Sequence, residues 1–225
     1  MDAATFVSGS RRAASALDLR ESEEQLVLRC LNQLIALVLL FALSPLMFTV
    51  ALLIWKRDGA PILYGHYRVG RGGKLFRCLK YRTMLRDSER VLADILRDDP
   101  KLRAEWEADQ KLLNDPRITP IGRFLRNSSF DELPQLLNVV RGEMLLVGPR
   151  PITAAELTRY GKVRWHYLSV RPGITGLWQV SGRNNTTYEE RVALDARYVE
   201  TRSLLSDISI LFRTLLVVIL KDGAR

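Results

Sequence analysis

Residues 34–54 read LIALVLLFALSPLMFTVALLI, a stretch of 21 residues without a charge. As an α-helix rising about 1.5 Å per residue it would reach about 31 Å, close to the thickness of a bilayer core. About thirty mostly polar residues precede it and no small-residue cleavage site follows, so the pattern is not that of a secretory signal peptide. Ser44-Pro45 falls in its middle. Proline lacks a backbone N–H and its ring clashes with the carbonyl four residues back, here that of Phe41, so a kink or break is expected. Arg20 and Arg29 lie before the stretch, and Lys56, Arg57, Arg68 and Arg71 after it. Cationic flanks prefer the cytoplasmic side. A helix that enters the membrane, bends at Ser44-Pro45 and leaves by the same face keeps both flanks inside. A proline-kinked spanning helix is the other arrangement these residues allow.

The 34 Lys+Arg outnumber the 25 Asp+Glu, a formal net charge of +9, which points to an anionic partner: nucleic acid, phospholipid or a phosphorylated substrate. Two cysteines, Cys30 and Cys78, and two histidines, His66 and His166, exclude a disulfide scaffold, a Cys-rich zinc site and a His-rich metal site. Chemistry then rests on carboxylates, arginine and lysine. The expected fold class is α+β and mainly helical. Residues 1–28 form a lead-in, disordered at least over 1–19; 29–57 form the membrane helix, broken at Ser44-Pro45; 58–225 form a cytoplasmic catalytic domain. Within that domain, residues 62–68 and 75–82 read as a β-hairpin around Gly70-Arg71-Gly72-Gly73. Helices are expected over 88–97 and 101–113, interrupted at Asp99-Pro100, and over 131–140 and 188–200. Residues 204–220 place Leu204, Ile208, Leu211, Leu215 and Ile219 on one helical face, interrupted by Asp207 and Arg213. That pattern fits an amphipathic helix in the membrane interface, or one packed on the core.

Chemistry concentrates in three places. In Lys80-Tyr81-Arg82-Thr83-Met84, residues two apart on a strand share a face, so Lys80 and Arg82 project together, toward a diphosphate or toward solvent. In Arg126-Asn127-Ser128-Ser129-Phe130-Asp131-Glu132-Leu133-Pro134-Gln135, Pro134 belongs in a first helical turn, so a helix is expected to start near Asp131. Both carboxylates would then meet the positive end of the helix dipole, which favours their ionised forms. Adjacent helical residues diverge by about 100°, so Asp131 and Glu132 should act on different atoms. A plain N-cap at Asp131, or a capping box from Ser129 to Glu132, reads the same residues without chemistry. Third, Val147-Gly148-Pro149-Arg150-Pro151, Arg171-Pro172-Gly173-Ile174-Thr175-Gly176 and Ser181-Gly182-Arg183 hold arginines in proline- and glycine-rich loops. The planar guanidinium fork binds phosphate oxygens bidentately.

Taken with Asp115-Pro116-Arg117-Ile118-Thr119 and Asp131-Glu132-Leu133-Pro134-Gln135-Leu136, these motifs closely resemble the bacterial sugar transferases, the monotopic polyprenyl-phosphate hexose-1-phosphate transferases. The resemblance covers residues from about 31 to 225 and favours the compact members that initiate exopolysaccharide synthesis. It implies a re-entrant helix broken at Ser44-Pro45. Two departures stand out: Leu28-Arg29-Cys30-Leu31-Asn32 replaces a Lys-Arg-x-Phe-Asp-like helix entry, and Asn127 stands where a basic residue is common.

The reaction so implied joins UDP-hexose, galactose or glucose, to undecaprenyl phosphate with release of UMP and with Mg²⁺, at the cytoplasmic face of the bacterial inner membrane. Asp131 would be the nucleophile and Glu132 its partner, both also metal ligands. Lys80, Arg82, Arg126, Arg150, Arg171 and Arg183 would bind substrate phosphate. The attacking lipid phosphate is already anionic, so the main need is charge neutralisation and alignment. Partners expected are the two substrates and membrane lipid, and no nucleic acid. The competing readings are a membrane-tethered nucleic-acid module, which +9 alone would permit, and a non-catalytic polysaccharide scaffold. No motif reports which hexose is used, or the oligomeric state, a dimer among the options.

Overall fold

The computed structural model describes residues 23–109, 112–182 and 186–220. The expected lead-in over 1–19, and Arg183, lie outside the described residues. The described residues open with one long helix, α1 (Glu23–Asp58), followed by the antiparallel hairpin β1 (Leu63–Val69) and β2 (Leu75–Tyr81). Two charged helices, α2 (Ser88–Asp98) and α3 (Pro100–Asp109), precede α4 (Pro120–Asn127) and α5 (Gln135–Val140). A short parallel pair, β3 (Leu145–Val147) and β4 (Gly173–Thr175), is separated by α6 (Ala154–Arg159) and α7 (Arg164–Ser169). The last helices are α8 (Tyr188–Thr201) and α9 (Leu204–Leu220).

The hairpin forms as the sequence predicts, with Gly72 and Gly73 at positive φ in its turn. Asp99, extended at φ −122°, separates α2 from α3 because Pro100 disfavours helical backbone in the residue before it. Position 131 differs from expectation. Asp131 lies in a 3₁₀ turn (Phe130–Glu132) entered through Ser129 at φ +58°, and the α-helix proper starts only at Gln135, with Pro134 as its cap residue. No side-chain cap bond is made at Ser129, so the capping-box reading fails.

Pro45 also behaves differently from a break. Helical structure continues through it from Glu23 to Asp58. The Phe41 carbonyl that Pro45 cannot serve accepts the Ser44 hydroxyl at 2.7 Å, and the Pro45 carbonyl accepts Thr49 Oγ1 at 2.8 Å. The Ser44 hydroxyl thus satisfies the carbonyl that the proline frees in an apolar setting.

Helix α1 lines two of the three apolar clusters among the described residues. Ala36, with Leu39, Leu40 and Leu43, packs with Phe76, Leu136, Val139 and Leu146; Val50 and Ile54 pack with Tyr81 and Leu125. Its other faces carry exposed apolar side chains, among them Phe41 at 85% and Phe48 at 70%. Polar ties run along the same seam. Asn32 Oδ1 accepts the Leu146 N–H and Gln33 Nε2 donates to the Val140 carbonyl, both at 2.8 Å. Further along, the Tyr81 hydroxyl donates to the Met47 carbonyl at 2.9 Å. Asn32, one of the three residues that depart from the expected helix-entry motif, ties that end of the helix to the Leu146 backbone. Helix α9 exposes Leu205, Phe212, Leu215 and Leu216, and packs through Ile210. It is amphipathic, as expected.

Backbone meets backbone where β3 and β4 run on into their loops. Gly148 N–H donates to the Thr175 carbonyl and Gly173 N–H to the Pro149 carbonyl, each at 2.9 Å. A Cβ built at Gly173 would lie 2.1 Å from Gly148 N, and one at Gly176 2.1 Å from Gly148 O. Substituting Gly173 by Ala should therefore lower stability by about 1–3 kcal/mol, as overpacking does. A thermal melt of the detergent-solubilised protein would read this as a reduced Tm.

Candidate active site

The hairpin supplies the first component. Lys80, near the end of β2, places its Nζ 2.6 Å from Glu132 Oε1 and 3.6 Å from Asp131 Oδ2. The two carboxylates, expected to diverge, converge on one ammonium, because the 3₁₀ turn and the long lysine stem bring all three together. The register depends on Asn138 of α5, which is fully buried. Its side chain accepts the Leu79 N–H at 3.0 Å and donates to the Arg77 carbonyl at 2.8 Å. This clamp ties β2 to the helix that follows the acidic pair, and nothing in the motif spacing announced it.

The second component is α4. Thr119 caps it by accepting the Gly122 N–H at 3.0 Å, and Thr119 N–H donates to the Thr83 carbonyl at 3.0 Å. A Cβ at Gly122 would fall 2.0 Å from that same carbonyl. Helix α4 thereby lies directly on the exit of β2, and Arg126 donates its Nε to Thr83 Oγ1 at 2.9 Å. Burial pushes the Arg126 pKa down, while nearby Asp131 and Asp115 support its charge. Asp115 chelates Arg117 through both carboxylate oxygens, at 2.8 and 2.6 Å. Burial opposes ionisation of Asp115, but its bonds to Arg117 hold it below the usual carboxylate range.

Asp131 is 8% exposed. Burial pushes its pKa up, and Glu132 adds to this, while Lys80 and Arg126 pull it back down. The expectation that a helix dipole would favour its ionised form is thus overturned: desolvation outweighs the pull of the neighbouring cations and of the short turn.

The third component is the loop after β3. Arg150 Nη1 stands 4.0 Å from Glu132 Oε1, and its guanidinium lies 5.6 Å from the centre of the Trp178 ring. Lys80, Arg126 and Arg150 therefore surround the Asp131-Glu132 pair. Arg82 and Arg171 are placed otherwise. Arg82 is buried and donates Nη2 to the Asp58 and Gly59 carbonyls at 2.7 and 2.8 Å, where it closes the end of α1. It does not share a face with Lys80, since β2 ends at Tyr81. Arg171 donates Nε to the Gly142 carbonyl at 2.7 Å. Sequence reasoning also missed a buried group behind the Arg150 loop, comprising Tyr160, Arg191 and Asp195.

Among the described residues no cluster of three or more His, Cys, Asp or Glu side chains is formed. Asp131 and Glu132 are two carboxylates beside cations that suit phosphate. Mg²⁺ is commonly held by one or two carboxylates together with substrate phosphates, so the donor set fits that ion when a diphosphate supplies the remaining oxygens.

Comparison with known proteins shows the family. The family model for bacterial sugar transferases matches residues 23–221. The chain is 50% identical over 210 residues to an undecaprenyl-phosphate galactose phosphotransferase of Salmonella typhimurium, covering 92% of this chain and 43% of that protein. It is 55% identical over 189 residues to a UDP-galactose-lipid carrier transferase of Erwinia amylovora, covering 84% and 39% respectively. With an exopolysaccharide production protein of Sinorhizobium fredii it shares 48% identity over 196 residues, 87% of each chain. The chain thus spans less than half of the first two relatives and most of the third. On the extent of that match, the chain belongs to the bacterial sugar transferase family.

Proposed function

We propose that the chain transfers hexose-1-phosphate from a UDP-hexose to undecaprenyl phosphate, releasing UMP and starting an exopolysaccharide on the membrane. The observation that carries this reading is the buried Asp131 beside Glu132, ringed by Lys80, Arg126 and Arg150 next to an apolar helix. The names of two relatives, an undecaprenyl-phosphate galactose phosphotransferase and a UDP-galactose-lipid carrier transferase, support the same substrate classes.

In the proposed first step, an Asp131 carboxylate oxygen attacks the phosphorus that bears the hexose. The new O–P bond forms as the P–O bond to UMP breaks, and UMP leaves with that electron pair. An oxygen of the lipid phosphate then attacks the same phosphorus, and the Asp131 carboxylate is restored. Lys80 and Arg150 neutralise the diphosphate, and Arg126 offsets charge at the attacking carboxylate. Mg²⁺, held by Asp131 and Glu132 with diphosphate oxygens, would supply further neutralisation of phosphate charge. Because Asp131 must be ionised to attack and burial raises its pKa, activity should fall on the acid side at a pH above the usual carboxylate range.

The membrane arrangement we infer rests on where α1 is tied. Asn32 and Gln33 near one end, and Asp58 at the other, all bond to the same domain. A straight span of a core about 30 Å thick would carry one end out of that domain's reach. This supports a helix that enters and leaves by one face, with the catalytic domain on the cytoplasmic side of the inner membrane.

Three experiments test this reading. Enzyme given UDP-hexose and labelled UMP, without lipid, should scramble label into the donor. Failure to exchange, in a preparation active with lipid, would reject the covalent route. Arg150→Lys keeps the charge but loses the bidentate fork, so kcat/KM for the donor should drop roughly tenfold or more; kinetics like those of the parent would show that charge alone suffices. A cysteine introduced at Ser10 should resist a membrane-impermeant thiol reagent in intact cells, and labelling there would place that end outside.

A further inference from the structure

The buried group behind the Arg150 loop takes no part in the steps above. Asp195, in the middle of α8, is 2% exposed. Tyr160, the cap residue that ends α6, donates its hydroxyl to Asp195 Oδ2 at 2.7 Å. Asp195 Oδ1 is buried without a hydrogen-bond partner among the described residues. The Arg150 backbone N–H and guanidinium both favour the charged form of this carboxylate, as does Arg191 one turn earlier on α8. Arg191 and Arg150 share one indole: their guanidinium carbons lie 4.8 and 5.6 Å from the Trp178 ring centre. Glu156, which closes the capping box of α6, holds Arg191 at 3.4 Å. A continuous set of contacts therefore runs from α6 and α8 through Trp178 to Arg150, which faces Glu132.

A merely structural Tyr–Asp pair accounts poorly for this arrangement. A buried carboxylate with one oxygen unsatisfied is costly, and well-packed apolar residues of similar volume do the structural work at least as well. The cost makes sense where the charge is aimed at something. Here the cations that favour its charge are Arg191 on α8 and Arg150 in the loop after β3, the two that share the Trp178 indole.

We propose that Asp195 is a positioning residue: its buried carboxylate fixes the Gly148-Pro149-Arg150-Pro151 loop and, with Arg191 and Trp178, holds the Arg150 guanidinium where the donor diphosphate binds. This rests on the reading of Arg150 as a phosphate ligand. The groups facing Asp195 are Tyr160 from the end of α6, Tyr167 from α7, Arg191 on α8 itself and Arg150 from the loop after β3. The Tyr167 hydroxyl is already committed, donating to the Val69 carbonyl at 2.7 Å and accepting from the Ile152 N–H at 3.2 Å. Burial lifts the Asp195 carboxyl to about 6 against the pull of Tyr160, Arg191 and Arg150. Above that value the carboxylate is charged and holds Arg150; below it the group is neutral and the hold is lost.

The test uses the full chain in lipid nanodiscs with two readouts. One is UMP release from UDP-hexose and undecaprenyl phosphate across pH. The other is the Trp178 contribution to fluorescence across pH without substrate, taken as the difference from Trp178→Phe. The parent protein should show a fluorescence transition near about 6. Asp195→Asn should abolish that transition and lower kcat/KM for the donor roughly tenfold or more, with little change in Tm. Tyr160→Phe removes a bond that favours the charged form, so both the transition and the acid limb of UMP release should move to higher pH. Tyr160→Phe also carries the test where Asp195→Asn fails to fold. A transition that survives in Asp195→Asn, unchanged donor kinetics in that variant, or an unshifted midpoint in Tyr160→Phe would overturn the proposal. A parent protein with the transition but no UMP release would overturn the proposed function and leave the placement of Arg150 by Asp195 standing.

Discussion

Two adjacent carboxylates share one lysine ammonium, and the surrounding structure serves to keep them there. Asp131 is nearly buried, so its charge loses solvation that only close cations can replace. Lys80 reaches it from β2, Arg126 from α4 and Arg150 from the loop after β3. These cations come from three separate parts of the chain, and each is delivered by a close backbone approach or a buried amide. Asn138 clamps β2 to α5. Gly122 lets α4 rest on the Thr83 carbonyl, and Gly148 and Gly173 let the Arg150 and Arg171 loops pass backbone on backbone. The glycines of these motifs serve closeness, since none of the three has a positive φ.

Much of this was legible in the sequence, for reasons specific to each part. The hairpin announced itself through β-rich runs on either side of a glycine cluster, and α9 through a one-sided apolar face. The acidic pair and the proline-flanked arginines stood out because neighbouring prolines and glycines constrain the backbone that carries them. What escaped was whatever depends on partners distant in sequence. Strand alternation paired Lys80 with Arg82, but the strand ends between them and Arg82 turns to the last carbonyls of α1. Arg171 looked like a phosphate ligand by composition, and its Nε is committed to the Gly142 carbonyl. Asn138 and Asp195 sit on helices whose sequence gives no sign that a polar side chain points inward.

The expectation that a helix dipole would hold the Asp131 pKa down met a larger opposing effect, since burial pushes it up. A dipole contributes typically 0.3–1 kcal/mol near an exposed helix end and fades within a turn. Asp131 precedes the α-helix by a 3₁₀ turn, so the contribution is weaker still, while burial acts on it at full strength. Position on a helix says nothing about burial, and burial decides.

Helix α1 poses a related problem of competing solvents. Its apolar length suits lipid, yet a seam along it is committed to protein through Ala36, Val50 and Ile54. Polar groups occur along that seam or at the proline: Asn32 and Gln33 bind backbone of the domain, Met47 offers a carbonyl to Tyr81, and Ser44 covers the acceptor at Phe41. Each would be costly if turned toward hydrocarbon without a partner. The distribution fixes which face of α1 the domain must hold, leaving Phe41 and Phe48 free for lipid. For the proposed transfer to a polyprenyl phosphate, the acidic pair has to lie at the depth of the lipid headgroup. A helix tied at both ends to the catalytic domain sets that depth by its own packing, because the domain cannot rise from the membrane without drawing the helix with it.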